Sequence, residues 1–145
     1  MSRTLLTGLA LLLPGALAAQ QPTLYDRLGG VYPIAVVVDA FIDALVADEV
    51  LNQNPAIAAA RDRVPAPGLK YHVTALVCQV TGGPCTYTGR SMPASHAHLN
   101  IGTVEWNRML VVFRNVLTRL GVPEAEQGEL VAIVESTRGQ IVTRP

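Results

Sequence analysis

Charge is scarce in this chain. Only 15% of its 145 residues are charged, and eleven basic side chains cancel eleven acidic ones to a formal net charge of zero. Such a balance supplies no field to draw in nucleic acid or an anionic membrane surface, so neither is expected as a partner. The length allows one domain, and half of the residues are apolar, enough for a packed core rather than a disordered chain. G-x-S-x-G, glycine-rich phosphate cradles and C-x-x-C are all missing, which leaves hydrolase, nucleotide-binding and thiol-redox readings without support. No run alternates apolar and polar residues between turn signals, and no internal repeat occurs. The expected class is therefore all-α.

The one long apolar run lies at the N-terminus. Arg3 precedes a leucine-rich stretch from Leu5 to Leu13, then Pro14-Gly15, then Ala16-Leu17-Ala18-Ala19 and polar Gln20-Gln21. A positive start, a short apolar segment and an A-x-A site read as a secretory signal over residues 1–19. The run is too short for the roughly twenty residues that span a bilayer. The expected product is an exported domain of residues 20–145, in a bacterial periplasm, free of the membrane after cleavage and a monomer or weak dimer. Export also bears on the two cysteines, Cys78 and Cys85, seven positions apart around Gly82-Gly83-Pro84. An oxidising compartment permits a disulfide across such a reversal, contributing about 2–3 kcal/mol at most. Two unpaired buried thiols fit the sequence equally well.

Helical periodicity fills the rest. Ile34, Val37, Val38, Phe41, Ile42 and Leu45 share one helix face, with Pro33 in the first turn. Residues 52–68, with three prolines, read as a connection holding one short helix. A second helix carries Leu69, Val73, Leu76, Val77 and Val80 on one face, and His72 falls on that face as well. Gly82-Gly83-Pro84 ends it, and a short helical piece is expected over residues 92–99. Thr103 is the expected N-cap of a third long helix with Trp106, Leu110, Phe113, Val116, Leu117 and Leu120 inward. Gly121 stops it. Pro123 opens a fourth, with Glu124 and Glu126 in the first turn and Leu130, Ile133, Val134 and Ile141 inward.

Strong chemistry has few candidates. The three histidines are His72, His96 and His98. His96 and His98 are two apart and cannot share a helical face, so structural zinc is not expected. His72 and His96 sit on different helices with apolar faces. Haem needs one neutral imidazole, an apolar slot and a few cationic or hydroxyl groups at its rim, all of which this chain offers. On the residues alone, a histidine on an apolar face is more often a satisfied core residue.

The stretch Thr81-Gly82-Gly83-Pro84-Cys85-Thr86-Tyr87-Thr88-Gly89-Arg90-Ser91-Met92, followed by His96, resembles the first group of truncated haemoglobins. Those proteins carry a G-G-P-x-x-Y-T-G-R-x-M-x-x-x-H signature whose histidine binds the iron. The opening Leu24-Tyr25-Asp26-Arg27-Leu28-Gly29-Gly30 is similar to the family's start, as is Val36-Val37-Val38-Asp39-Ala40-Phe41 with Ala47-Asp48. The resemblance covers residue 23 to the end. It implies a globin-like two-over-two helical sandwich around haem b, with His96 as proximal ligand and Met92 and Ser95 lining the haem. It also implies Arg90 reaching a propionate by a charge-assisted bond, Tyr87 helping at that edge, and Ile101 and Trp106 packing the proximal side. His98 is expected at the rim or on the surface.

Two departures from the pattern matter. Ile42 stands where the family usually has a tyrosine whose hydroxyl stabilises dioxygen, and Asn54-Pro55 falls where it has an aromatic pair. Leu69 and Val73 occupy the other distal positions, where a glutamine is common, and Leu76 follows on the same face. The distal pocket is therefore expected to be unusually apolar. His72 is the exception, either as a sixth iron ligand or turned outward, with Tyr71 as the alternative donor. The resemblance implies binding of dioxygen, nitric oxide or carbon monoxide at ferrous haem, with a separate reductase as electron donor. Loose dioxygen binding makes simple oxygen storage less attractive than nitric oxide chemistry, electron transfer or sensing. Two other classes remain open: a helical interaction module that lost its cofactor, and a haem enzyme acting on nitric oxide or peroxide.

Overall fold

A computed structural model describes residues 21–144, so the expected export signal lies outside the described residues. Every regular element among the described residues is helical. The first, α1 (Leu24–Arg27), is held by a capping box in which Asp26 and Thr23 satisfy each other's backbone N–H groups. Gly29 and Gly30, at φ +86° and +89°, turn the chain into α2 (Val31–Ala47), a reversal that a Cβ would strain.

Asp48 caps α3 (Glu49–Asn52), and Asn54 caps α4 (Pro55–Arg63). The segment over residues 52–68 thus holds the one short helix expected of it, α4, while α3 ends where that segment begins. Pro55 opens α4 instead of interrupting it, because a proline at the first helical position removes only a donor that has no acceptor there. The same reasoning corrects the next boundary. The long helix α5 (Ala66–Val80) begins at Ala66, with Pro67 in its first turn, instead of at Leu69.

The chain then runs extended to α6 (Met92–His96), one turn of 3₁₀ helix (Ala97–Leu99), α7 (Thr103–Arg119), α8 (Glu124–Glu135) and α9 (Arg138–Ile141). Thr103 is the first residue of α7 and not its cap. Gly102 takes that place, with Glu105 Oε2 accepting its N–H at 2.8 Å. Leu120, expected inward, is 40% exposed, because α7 ends at Arg119 and the turn at Gly121 (φ +71°) swings the chain away. Ile141 is buried but belongs to α9, beyond the end of α8.

Helix α2 packs most extensively on α5 and α7, and α7 also packs on α8. Two buried clusters result. Ile34, Val38 and Ile42 of α2 meet Leu69, Val73 and Val77 of α5, while Leu24, Phe113, Leu117, Leu130 and Val131 join α1, α7 and α8. Phe41 touches both clusters, its ring tilted 4.9 Å from that of Phe113. Ion pairs tie the layers at their edges: Lys70 reaches Asp39 and Asp43, each at 2.6 Å, and Arg27 reaches Glu126 and Glu129. Cys78 and Cys85 form a disulfide, closing the alternative that the sequence left open.

Candidate functional site

Between these layers lies a cavity of about 1730 Å³ with a largely apolar wall, larger than the roughly 300–1,000 Å³ of ordinary small-molecule pockets. One wall comes from α2 and α5. Phe41, Ile42 and Leu45 project from α2, and Leu69, His72, Val73 and Leu76 from α5. Ile42 is 4% exposed and offers no donor. The opposite wall comes from α6, the loop after it and α7, through Met92, Ser95, His96, Ile101, Trp106 and Met109. The extended segment between α5 and α6 closes one edge with Tyr87 and Arg90. Every side chain singled out in the sequence as cofactor-binding or iron-binding therefore borders one cavity.

His96 is built by the short helix that carries it. Ser91 caps α6, and Ser95 Oγ lies 2.8 Å from the Ser91 carbonyl and 3.1 Å from that of Met92. The His96 Nδ1 atom sits 2.9 Å from the Met92 carbonyl oxygen and 2.9 Å from Ser95 Oγ. A carbonyl can only accept, so this network assigns the proton to Nδ1. Nε2 is then a bare lone pair, and it makes no hydrogen bond among the described residues. Burial is the main influence that lowers the imidazole pKa; the Met92 carbonyl opposes it, and the neighbouring His98 lowers it further. The ring is thereby kept neutral, the form in which histidine coordinates a metal.

His72 is half-buried in the middle of α5, with Nδ1 buried and without a partner. Its ring stands edge-on to Tyr87, centroids 6.2 Å apart, and to Tyr71 at 5.4 Å. His72 therefore does not turn outward. Tyr71 does: it is 67% exposed and does not border the cavity, so it is no substitute donor there. Arg90 is exposed and makes no ion pair among the described residues. Tyr87 O–H donates to the Arg90 carbonyl at 2.7 Å. His98 is exposed at the cavity's edge, and Trp106 is 2% exposed with its indole N–H unpaired.

The residue whose part the sequence reading missed is Asn54. It is buried, its Oδ1 accepts from Ala56 and Ile57, and its Nδ2 donates to the Leu99 and Asn100 carbonyls and to Glu105 Oε1. One amide thus starts α4 and anchors the loop that follows His96. The N-capping preference of asparagine ahead of a proline was the available signal.

Comparison with known proteins agrees with this geometry. Residues 23–143 match the family model described as bacterial-like globin. A group 1 truncated hemoglobin of Mycolicibacterium paratuberculosis is 27% identical over 125 residues, covering 86% of this chain and 88% of that protein. One from Tetrahymena pyriformis is 24% identical, covering 80% and 91%. Among solved structures, the 2/2 hemoglobin of a Synechococcus species superposes with a TM-score of 0.74 at 25% identity, covering 85% of this chain and all of that one. The hemoglobin of Chloroflexus aurantiacus gives 0.68 at 28%, covering 86% and 100%. With its helices packed around a largely apolar cavity, the chain belongs to the bacterial-like globins and has the two-over-two fold of the truncated hemoglobins.

Proposed function

We propose that this globin holds haem b through His96 and binds small diatomic gases, dioxygen, nitric oxide or carbon monoxide. The observation that carries the reading is the hydrogen bond between His96 Nδ1 and the Met92 carbonyl. It orients the ring and leaves Nε2 as the ligating nitrogen, the arrangement that second-shell carbonyls give metal-bound histidines. The residues present fit the group in other respects: an apolar cavity of sufficient size and an unpaired guanidinium, Arg90, at its edge. When bound, haem would supply an iron able to take a diatomic gas.

The chain's own groups would divide the remaining work. Arg90 pairs with a haem carboxylate through charge-assisted bonds, while Tyr87 fixes the backbone of Arg90. Met92, Ser95, Ile101 and Trp106 pack the side of His96. Phe41, Ile42, Leu69, Val73 and Leu76 keep water out of the other side. None of these five can donate a hydrogen bond to dioxygen, which forfeits about 1–3 kcal/mol and makes its binding loose. That favours nitric oxide chemistry, electron transfer or sensing over oxygen storage.

Among the described cavity residues on that side, His72 is the group that could serve as a second ligand to the iron, and in this reading it would do so in the resting ferric protein. Its orphaned Nδ1 and its inward placement support the assignment. The reading further includes export to a bacterial periplasm, a separate reductase as electron donor, and a monomer or weak dimer. The Cys78–Cys85 disulfide suits an oxidising compartment. Loading the protein with hemin and recording the ferric spectrum tests the coordination. A low-spin spectrum that becomes high-spin in His72→Ala is expected, whereas a high-spin spectrum shared by both proteins would remove His72 from the iron. Carbon monoxide added to the reduced protein should shift the Soret band, and a band that does not respond would count against gas binding.

A further inference from the structure

Residues 84–90 have no regular structure of their own, and Tyr87, Thr88, Gly89 and Arg90 among them border the cavity. Apart from the edge-on packing of Tyr87 on His72, their hold on the rest of the molecule is slight. Among the described residues, their one hydrogen bond to another element runs from the Tyr87 N–H to Gln79 Oε1 at 2.6 Å. The Tyr87 hydroxyl bond to the Arg90 carbonyl is internal to the segment. The other tether is covalent: Cys85 is joined to Cys78, which is fully buried in the last turns of α5, with Cα atoms 5.7 Å apart. Both tethers end on neighbouring residues of α5, the helix that carries His72 two turns earlier. The cross-link therefore fixes where Tyr87 and Arg90 stand relative to that helix.

We infer that the Cys78–Cys85 disulfide is a redox-sensitive latch on the lip of the cavity, and that its cleavage by a dithiol reductant loosens the protein's grip on its prosthetic group. The inference rests on the haem reading above. Cys78 is fully enclosed while Cys85 is half-buried, so the reductant's thiolate attacks Cys85 Sγ. The S–S bond breaks and Cys78 leaves as thiolate, then takes a proton. The reductant's second thiol displaces Cys85 from the mixed disulfide, closing the reductant's own disulfide. Two electrons and two protons pass to the cysteine pair. The hydrogen bond that Gln79 Oε1 accepts from the Tyr87 N–H and the edge-on packing of Tyr87 on His72 then remain to hold the segment in place.

The test is hemin transfer from the loaded protein to a high-affinity acceptor, measured for the oxidised protein, the same protein treated with dithiothreitol, and Cys85→Ser. Reduction is expected to speed transfer roughly tenfold, the factor equivalent to about 1.4 kcal/mol, and reoxidation should reverse it. In an Arg90→Ala background reduction should add little, because the latch works through that side chain; a merely structural disulfide would add its full effect there. Amide exchange at residues 86–90 in the hemin-free protein should also rise on reduction. Equal transfer rates in both redox states would overturn the latch. Failure of either form to take up hemin would instead overturn the haem reading, while amide exchange would still report on the latch, unchanged exchange at residues 86–90 counting against it. Should Cys85→Ser not fold, reduction of the folded wild type carries the same comparison.

Discussion

The Met92 carbonyl oxygen lies 2.9 Å from Nδ1 of His96, one helical turn later in the same five-residue helix. That contact decides which nitrogen of the imidazole is free, so the chemistry of the cavity is set by a backbone group four residues away. Ser95 supports it from the next position, its hydroxyl engaged by the carbonyls of Ser91 and Met92.

Ile42 is the distal residue most open to a gain of function. Replacing it with tyrosine places a hydroxyl in an apolar pocket where Ile42 itself is 4% exposed. Ile42→Tyr is expected to slow dioxygen dissociation from the reduced protein roughly tenfold or more, the equivalent of one hydrogen bond worth about 1–3 kcal/mol. The extra volume should lower unfolding stability by about 1–3 kcal/mol. Stopped-flow dissociation and urea unfolding measure the two effects separately.

A pH dependence follows from Asp48. Its Oδ2 accepts from Arg108 at 2.9 and 2.8 Å, and its Oδ1 caps α3 through the Leu51 N–H at 3.0 Å. The Arg108 hydrogen bond is the first reason that its carboxyl stays below the ordinary value of 3.8. A carboxylate held low in the folded state contributes stability that is present above the unfolded value and is lost as pH falls through the folded one. Asp48→Asn keeps the cap and removes the charge. Since Arg108 is 41% exposed, the variant should be less stable by about 1 kcal/mol at neutral pH. The gap should close as the pH falls below 3.8, which urea unfolding of the hemin-free proteins would follow.

Asn54 is expected to be among the most sensitive positions outside the cavity wall. Asn54→Ala removes a helix cap and leaves the Leu99 and Asn100 carbonyls short of a donor, a loss of about 2–4 kcal/mol. Asn54→Asp retains the cap but sets a carboxylate beside Glu105, which Asn54 touches at 3.2 Å. It should be comparably unstable near neutral pH and recover on acidification. Equal stability of Asn54→Asp and wild type at pH 7 would show that Nδ2 contributes nothing.

The parts of the fold that were legible in the sequence are those encoded by local repetition. The faces of α2, α5 and α7 follow from apolar spacing, and the stretch from Gly82 to His96 is a dense signature that puts His96 on the cavity. What escaped depends on contacts between distant residues. Asn54 reads as one polar residue in a proline-rich connection until Leu99 and Glu105 fold against it. Pro55 and Pro67 look like interruptions, yet each sits in a first turn where a missing N–H has no consequence. Whether Cys78 meets Cys85 depends on the course of the reversal at Gly82 (φ +91°), which spacing alone leaves undetermined. Tyr71 and His72 are neighbours, and only the roll of α5 decides which of them meets the cavity.

Titrating the purified protein and His96→Gly with hemin, with and without added imidazole, tests the central claim most directly. The wild type is expected to develop a sharp Soret band that saturates at stoichiometric hemin. The variant should lose it and regain it when imidazole fills the vacated place. A wild type that stays colourless, or a His96→Gly protein whose spectrum matches the wild type, would contradict the account.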